Sequence, residues 1–416
     1  MASFVRTGSA NAYDLALSNI MQRQSSLANL QENLTSGKRV VRASDDPTGA
    51  AQAERAITRL ARIETDLRAL EAQRNSITQA ESTLGDVNEA LQNFRELAVS
   101  AGNASHSVLE RKAIATQMTG LRDQVFALAN RQDTNGLPLF SALGSALAPF
   151  VGPQALPQDY TYSGLPGQVA SDQVSIPFSL DGDRAFMLLP GRDGVFNATL
   201  TTVTAPPHQI GTSAVTMTNP AAVRSSAYAI SITGVDTTTV PGTTTVTYGI
   251  AENPNVTGPF IGSASYPSNT TANFAVTAIP GLSVNITGAP VVGDTMTLTP
   301  RPSIFSVLDD AINNVGNAVD NNAAMQAVGQ ALHNVDIGMS RISAVRGQAG
   351  DLLNRADRIS SNQEKRSIQV EADRSRAEDL DMVKGISDFQ NQQTGYQAAL
   401  QSYAQVQKLS LFNFIS

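Results

Sequence analysis

Cysteine and tryptophan are absent from the 416 residues, and aromatic residues make up only 5%. Without cysteine there are no disulfides, no thiolate metal sites and no cysteine nucleophile. No window approaches the ~18 consecutive apolar residues of a membrane helix. The first twenty residues lack the unbroken apolar core of a cleaved signal peptide. A soluble protein is expected, exported, if at all, by a route that leaves no cleaved signal. Net charge is -7 and the pI is about 5.1. The densest cation run is only Lys38, Arg39 and Arg42, which argues against a nucleic-acid surface. Lysine is missing between Lys112 and Lys365, and proline is missing after Pro302.

The distribution of proline divides the chain. Of 19 prolines, all but Pro47 and Pro138 lie between Pro149 and Pro302. Proline disrupts helix interiors and central strands, so the two ends are free to be helical and the middle is a different structure. The length exceeds one ordinary core, and several domains are expected.

Both ends carry heptads. Tyr13, Ile20, Leu27 and Leu34 recur every seven residues, with Leu17, Gln24 and Gln31 four later. At the other end Met382, Phe389, Tyr396 and Tyr403 recur every seven, with Ile386, Gln393, Leu400 and Gln407 four later. Glutamine weakens both seams in the same way, and the matched lapses predict that the two segments pair with each other. Between them, Ile63, Leu70, Ile77, Leu84 and Leu91 hold a strict repeat. A helix from about Pro47 to Ser100 is expected, about 80 Å long at ~1.5 Å per residue. It ends at Gly102-Asn103, and Ile114, Met118, Leu121, Val125 and Leu128 form a shorter returning helix. Ser303 caps the last helical block.

From 149 to 302 the period is two. Tyr228, Ile230 and Ile232, then Val246, Tyr248 and Ile250, then Val284 and Ile286, then Met296 and Leu298 alternate with small or polar residues. These are short strands of a sandwich-like unit. The expected fold class is α+β multidomain, a long helical bundle or coiled coil built by both chain ends with an inserted β-rich domain. The expected division is residues 1–45 with 376–416 as a terminal coiled coil, 46–148 with 303–375 as a helical rod, and 149–302 as the insert.

Catalytic signals are missing. Ser107, Gln209 and Asn334 follow the three histidines, so no H-E-x-x-H zinc motif exists. No serine sits in a G-x-S-x-G elbow. The acidic pairs Asp309-Asp310 and Glu378-Asp379 fall in helical patterns, where adjacent side chains diverge, and read as solvated faces. No enzyme, cofactor or metal site is expected. A ligand-binding module in the threonine-rich insert is the alternative from a different class.

The stretch Leu34–Ala50, LTSGKRVVRASDDPTGA, fails as a phosphate loop because Glu32 stands at the first glycine and Arg39 follows Lys38. It fails as a calcium loop because Pro47, Gly49 and Ala56 stand where ligands are needed. It reads as a joint. Gly37 ends one helix, Lys38 and Arg39 suit a helix C-terminus, Ser44 or Asp46 caps the next helix, and Pro47 sits at its first turn with Asp45 beside it.

The same residues carry a resemblance. Leu34-Thr-Ser-Gly-Lys-Arg-Val and Ala43-Ser-Asp-Asp-Pro resemble the N-terminal signature of the flagellin superfamily. Ala377-Glu-Asp-Leu-Asp381, Gln392-Gln-Thr394, Tyr396-Gln-Ala-Ala-Leu400 and Leu409-Ser-Leu-Phe412 resemble its C-terminal signature. Lys38 where flagellins tend to have leucine, and Pro47-Thr48 where they tend to have Ala-Ala, point within the superfamily to the proteins that join hook to filament. The resemblance implies a non-enzymatic axial subunit of the bacterial flagellum, secreted unfolded through type III export with an export chaperone. It implies assembly with hook-associated protein 1, flagellin and its own neighbouring subunits, and terminal segments ordered only in the assembly. A minor or divergent flagellin is the alternative. The seam Tyr13, Leu17, Ile20, Leu27, Leu34, Met382, Ile386, Phe389, Tyr396, Leu400 and Tyr403 is the expected packing surface between subunits.

Overall fold

Two long helices dominate the computed structural model, which describes residues 9–154, 159–203, 208–253 and 260–412; the side chains of 9–13 and 406–412 lie outside the described residues. In chain order the helices are α1 (Ser9–Ser36), α2 (Pro47–Ala101), α3 (Val108–Ala129), the short α4 (Gly182–Phe186) and α5 (Pro190–Asp193), α6 (Ile304–Gly316), α7 (Asn321–Glu378) and α8 (Met382–Phe412). The predicted limits of the long helix hold within a residue. The heptad leucines explain this: Leu70, Ile77, Leu84 and Leu91 are all buried along one row. Ser107 starts α3 with a reciprocal capping box to Glu110, and Ser303 caps α6 by accepting from the Ser306 N–H.

Among the described residues the strands are β1 (Phe150–Val151), β2 (Thr161–Tyr162), β3 (Phe196–Thr201), β4 (Ile210–Thr212), β5 (Thr216–Met217), β6 (Ala227–Asp236), β7 (Thr243–Asn253), β8 (Phe260–Pro267), β9 (Ala272–Val276), β10 (Leu282–Gly288) and β11 (Thr295–Pro300), with the period-two segments in β6, β7, β10 and β11. One sheet has the order β3-β11-β6-β7-β8, β10 pairs with β4, β5 and β9 in a second, and β1 pairs with β2 by itself. All long pairings are antiparallel, with Ile230 opposite Ile250 and Met296 opposite both Leu200 and Ile230. The inward residues of both sheets form one apolar cluster around Tyr228, Tyr248, Val284 and Leu298. The Tyr248 and Phe274 rings, one from each sheet, stack at 6.4 Å. The sandwich-like insert and the helical ends therefore agree with the expected fold class.

The chain divides into two compact units, residues 1–68 with 360–416 and residues 69–359. In the first unit Ala56, Ile63 and Val370 form a small cluster of their own, flanked by Leu60 and Leu67.

In the second unit the start of the insert differs from that expected. The described residues of 149–195, expected in the β-rich domain, are mostly a strap on the helices. Phe150, Tyr160, Ile176, Leu180, Phe186 and Leu188 share the helical core with Leu84, Phe94, Val125 and Phe305. The β core begins at Phe196. Proline disfavours long helices and central strands there, yet nothing in it prevents a loop from burying its aromatic side chains. Two polar residues that interrupt the apolar face of α2 serve this strap: Ser76 donates to the Phe178 carbonyl at 2.7 Å, and Gln73 accepts from the Ile176 N–H at 3.0 Å.

The pair Asp309-Asp310, read as a solvated face, is not one, and His208 is a buried structural histidine. Asp309 accepts from the Tyr160 hydroxyl and pairs with Arg122, both at 2.8 Å. Asp310 takes a two-pronged bond from Arg301. His208 and Asp294 are buried against each other at 2.8 Å, and Asp294 also accepts from the Val203 and Val291 N–H groups, tying together the loops beside β11. A helical pattern gives spacing but not which side chains a neighbouring element brings.

Candidate functional site

The joint between α1 and α2 is built on the main chain of residues 377–380. Gly37, at φ +69, ends α1 in the left-handed conformation, which a residue without Cβ adopts at little cost. The next residue, Lys38, forms an antiparallel bridge with Asp379. The Arg39 N–H donates to the Glu378 carbonyl at 2.7 Å, and the Leu380 N–H donates to the Gly37 carbonyl at 2.9 Å. The Lys38 ammonium pairs with the Glu378 carboxylate, which also takes Arg374 at 2.9 Å. Lys38, then Arg374, holds the Glu378 carboxyl below its ordinary range. The Arg39 guanidinium donates to the Ala377 carbonyl at 2.7 Å and to Asp46 at 3.1 Å.

The second half of the joint is a helix cap. Asp46 accepts from the N–H groups of Gly49 at 2.9 Å and Thr48 at 3.2 Å, with Pro47 opening the helix. These bonds, the Gly49 N–H first, pull the Asp46 carboxyl down to about 2. Asp45 instead closes a turn by accepting from the Arg42 N–H at 2.8 Å, and Arg42 reaches back to Glu32 at 2.9 Å. Ser44 is exposed, 3.4 Å from Asp45, and caps nothing. Val40 is buried.

The terminal helices α1 and α8 pack on each other. One row of each heptad faces the partner: Ile20 is buried, and Leu27, Leu34, Phe389, Tyr396 and Tyr403 are half-buried. The other row faces out. Leu17, Gln24, Gln31, Ile386, Gln393 and Leu400 are exposed, as are Leu15, Met21, Met382 and Val383. The Tyr13 side chain lies outside the described residues. Among the described side chains of the two helices, only Ile20 and Gly385 are buried. A Cβ on Gly385 would stand 2.8 Å from Leu380 and 3.2 Å from Leu34, so this glycine lets the chain leave the joint closely packed. Further out the helices gape, leaving a cleft of about 550 Å³ lined by Ile20, Arg23, Ser26, Gln392, Ser402 and Tyr403.

The sequence names the first half of the joint, Gly37 to Pro47, and the pairing of the two ends. It misses the partners from the other end of the chain, Ala377, Glu378 and Leu380, and it misses Gly385. The signals for Ala377, Glu378 and Leu380 are the acidic pair Glu378-Asp379, which pattern alone places on a helix face, and the Ala377–Asp381 signature, which carries a resemblance but names no contact. Gln24, Gln31 and Gln393 are not weak seam positions between α1 and α8; they are exposed, because two helices cover only one row of each other, and the Gln407 side chain lies outside the described residues.

The arrangement has counterparts. Residues 9–144 match the bacterial flagellin N-terminal helical region and residues 332–415 match the bacterial flagellin C-terminal helical region, together more than half of the chain. Flagellar hook-associated protein 3 of Salmonella typhimurium is 34% identical over 35% of this chain and 46% of its own length. Flagellar hook-associated protein 3 of Escherichia coli is 30% identical over 47% of this chain and 58% of its own length. The chain thus spans about half the length of the curated relatives it matches. A crystal structure of flagellar hook-associated protein 3 from Legionella pneumophila shares the fold at a TM-score of 0.60, with 23% identity, covering 77% of this chain and 97% of that one. With flagellin helical regions at both ends, joined through the bridge between Lys38 and Asp379, the chain belongs to the bacterial flagellin family.

Proposed function

We propose that the chain is a structural, non-catalytic axial subunit of the bacterial flagellum. It polymerises as the junction between the hook, through hook-associated protein 1, and the flagellin filament. It is exported unfolded, kept soluble beforehand by an export chaperone, and acts outside the cell. The relatives named hook-associated protein 3 support the junction over a filament subunit.

The observation that carries the reading is the half-covered terminal pair. Ordering a helix costs about 1–2 kcal/mol per residue in backbone entropy. Against this, α1 and α8 bury one row of side chains and leave Leu17, Met382, Ile386 and Leu400 exposed. Two such helices gain their remaining burial from neighbouring copies, as in a polymer whose ends order on assembly. The joint at Gly37–Pro47 then fixes where the terminal pair meets the helices α2 and α7.

Immunogold labelling of isolated flagella tests this. An antibody to the β-rich insert is expected to label one band between hook and filament. Label along the whole filament identifies a flagellin instead, and no label on the flagellum overturns both.

A further inference from the structure

In the first unit, α2 and α7 carry opposite charge on their two open sides. Their buried rows are Ala56 and Ile63 on α2, and Gln363, Val370 and Ala377 on α7. Successive helix residues turn by about 100°, so residues just before and just after a buried position face opposite sides. The helices are antiparallel, since Arg74, Glu81 and Arg95 meet Asp357, Arg346 and Asp336 in reverse order. In an antiparallel pair the "before" rows of both helices share one side and the "after" rows share the other.

One side is basic. A cleft of about 510 Å³ there is lined by Arg39, Arg55, Arg59 and Arg376, with Asp46 and Asp373. Arg62 continues the row of Arg55, and Arg366 lies on the same side. Asp46 is taken by Arg39, and Asp373 by Arg376. Arg55, Arg59, Arg62 and Arg366 are exposed and have no ion-pair partner among the described residues. In a chain of net charge -7 such a group is out of proportion. The opposite side is acidic and apolar. Ile57 and Glu64 follow the buried positions of α2, and Glu364 and Glu371 follow those of α7; Ile57 is 43% exposed and Ile368, beside them, 72%. Arg374 offsets Glu371, and the Arg68 guanidinium lies 3.9 Å from the Glu64 carboxylate.

We propose that these two faces dock on each other between copies of this chain. The guanidinium cleft of one copy takes the Glu64–Glu364 ridge of the next, with Ile57 and Ile368 covered in the contact. The two surfaces differ, so the contact is heterologous: each copy keeps one free face, and association runs on rather than closing at a dimer. This rests on the reading of the chain as a polymer subunit and names the surfaces by which copies meet.

The absence of cysteine makes the test clean. Purified full-length Arg59→Cys and Glu364→Cys chains are mixed at high concentration with a short bis-maleimide. The expected product is the mixed dimer, at least about tenfold above either homodimer. Homodimers of equal yield, or no cross-linking, overturn the proposal. Charge inversion gives the second readout. Arg55→Glu/Arg59→Glu and Glu64→Arg/Glu364→Arg chains are each expected to lose association, since like charges then face each other, and the equimolar mixture is expected to recover it. A mixture no better than its components overturns the proposal. Both readouts use the purified chain, so a failure here with the band still present on flagella refutes the docking and leaves the junction reading standing.

Discussion

Lys38 and Glu378 are 340 positions apart in the chain, and their side chains are ion-paired beside the main-chain bridge that joins Lys38 to Asp379. The Glu378 side chain is only 11% exposed and Lys38 is 45% exposed. An exposed pair adds little. Here the pair sits beside the main-chain hydrogen bonds donated by Arg39 and Val40 to the Glu378 carbonyl and by Leu380 to the Gly37 carbonyl, so its loss exposes those as well.

Glu378→Ala is expected to destabilise the joint by about 1–3 kcal/mol, the range for losing charge-assisted bonds at a partly buried group. Amide hydrogen exchange checks this directly. The Arg39 and Leu380 amides, which close the bridge, are expected to lose protection while amides of β6 and β7 keep theirs. Unchanged protection at Arg39 contradicts the role given to Glu378.

Acid is expected to loosen the start of α2. The Asp46 carboxyl is lowered from 3.8 to about 2 in the folded chain. A depressed carboxyl contributes stability that is present above the unfolded value and is lost as pH falls through the folded one. The cap therefore weakens between about pH 4 and pH 2. Asp46→Asn keeps a capping oxygen and is expected to remove this pH dependence, whereas Asp46→Ala is expected to fray the helix start at every pH. Exchange rates of the Thr48 and Gly49 amides across that window report both.

Phe305→Ala is expected to cost about 3–5 kcal/mol, the range for removing a buried aromatic ring. The Phe305 ring meets those of Phe126, Phe150, Tyr160 and Phe186 at 5.1 to 5.8 Å between centroids. It is where the proline-rich strap, α3 and α6 converge, so chemical denaturation of the second unit is the measurement. A loss below about 1 kcal/mol would mean the strap is not part of that core.

Leu27→Asp or Phe389→Asp is expected to leave the second unit folded, by circular dichroism and exchange protection of β6 and β7, while abolishing incorporation into flagella. Wild-type incorporation of both variants would remove Leu27 and Phe389 from the subunit-packing seam.

Much of this was legible in the residues. Buried rows at spacing seven and two are set by helix and strand geometry, so Leu70 to Leu91 and Tyr228 to Ile232 announce their elements without tertiary context. The joint was half legible, because Gly37, Asp46 and Pro47 act on their own chain neighbours. Glu378, Ala377 and Gly385 were not, since each acts on a residue brought from the other end of the sequence. The strap was misplaced for a related reason: proline content states what a segment cannot form, and Phe150 and Phe186 acquire their burial from helices far along the chain.

The most direct measurement of the central claim is made on a strain lacking the gene for this chain. Expected are hooks without filaments and flagellin monomers in the medium, both reversed by restoring the wild-type gene. Filaments still attached to their hooks, with only their composition changed, would contradict the junction and identify the chain as a filament subunit.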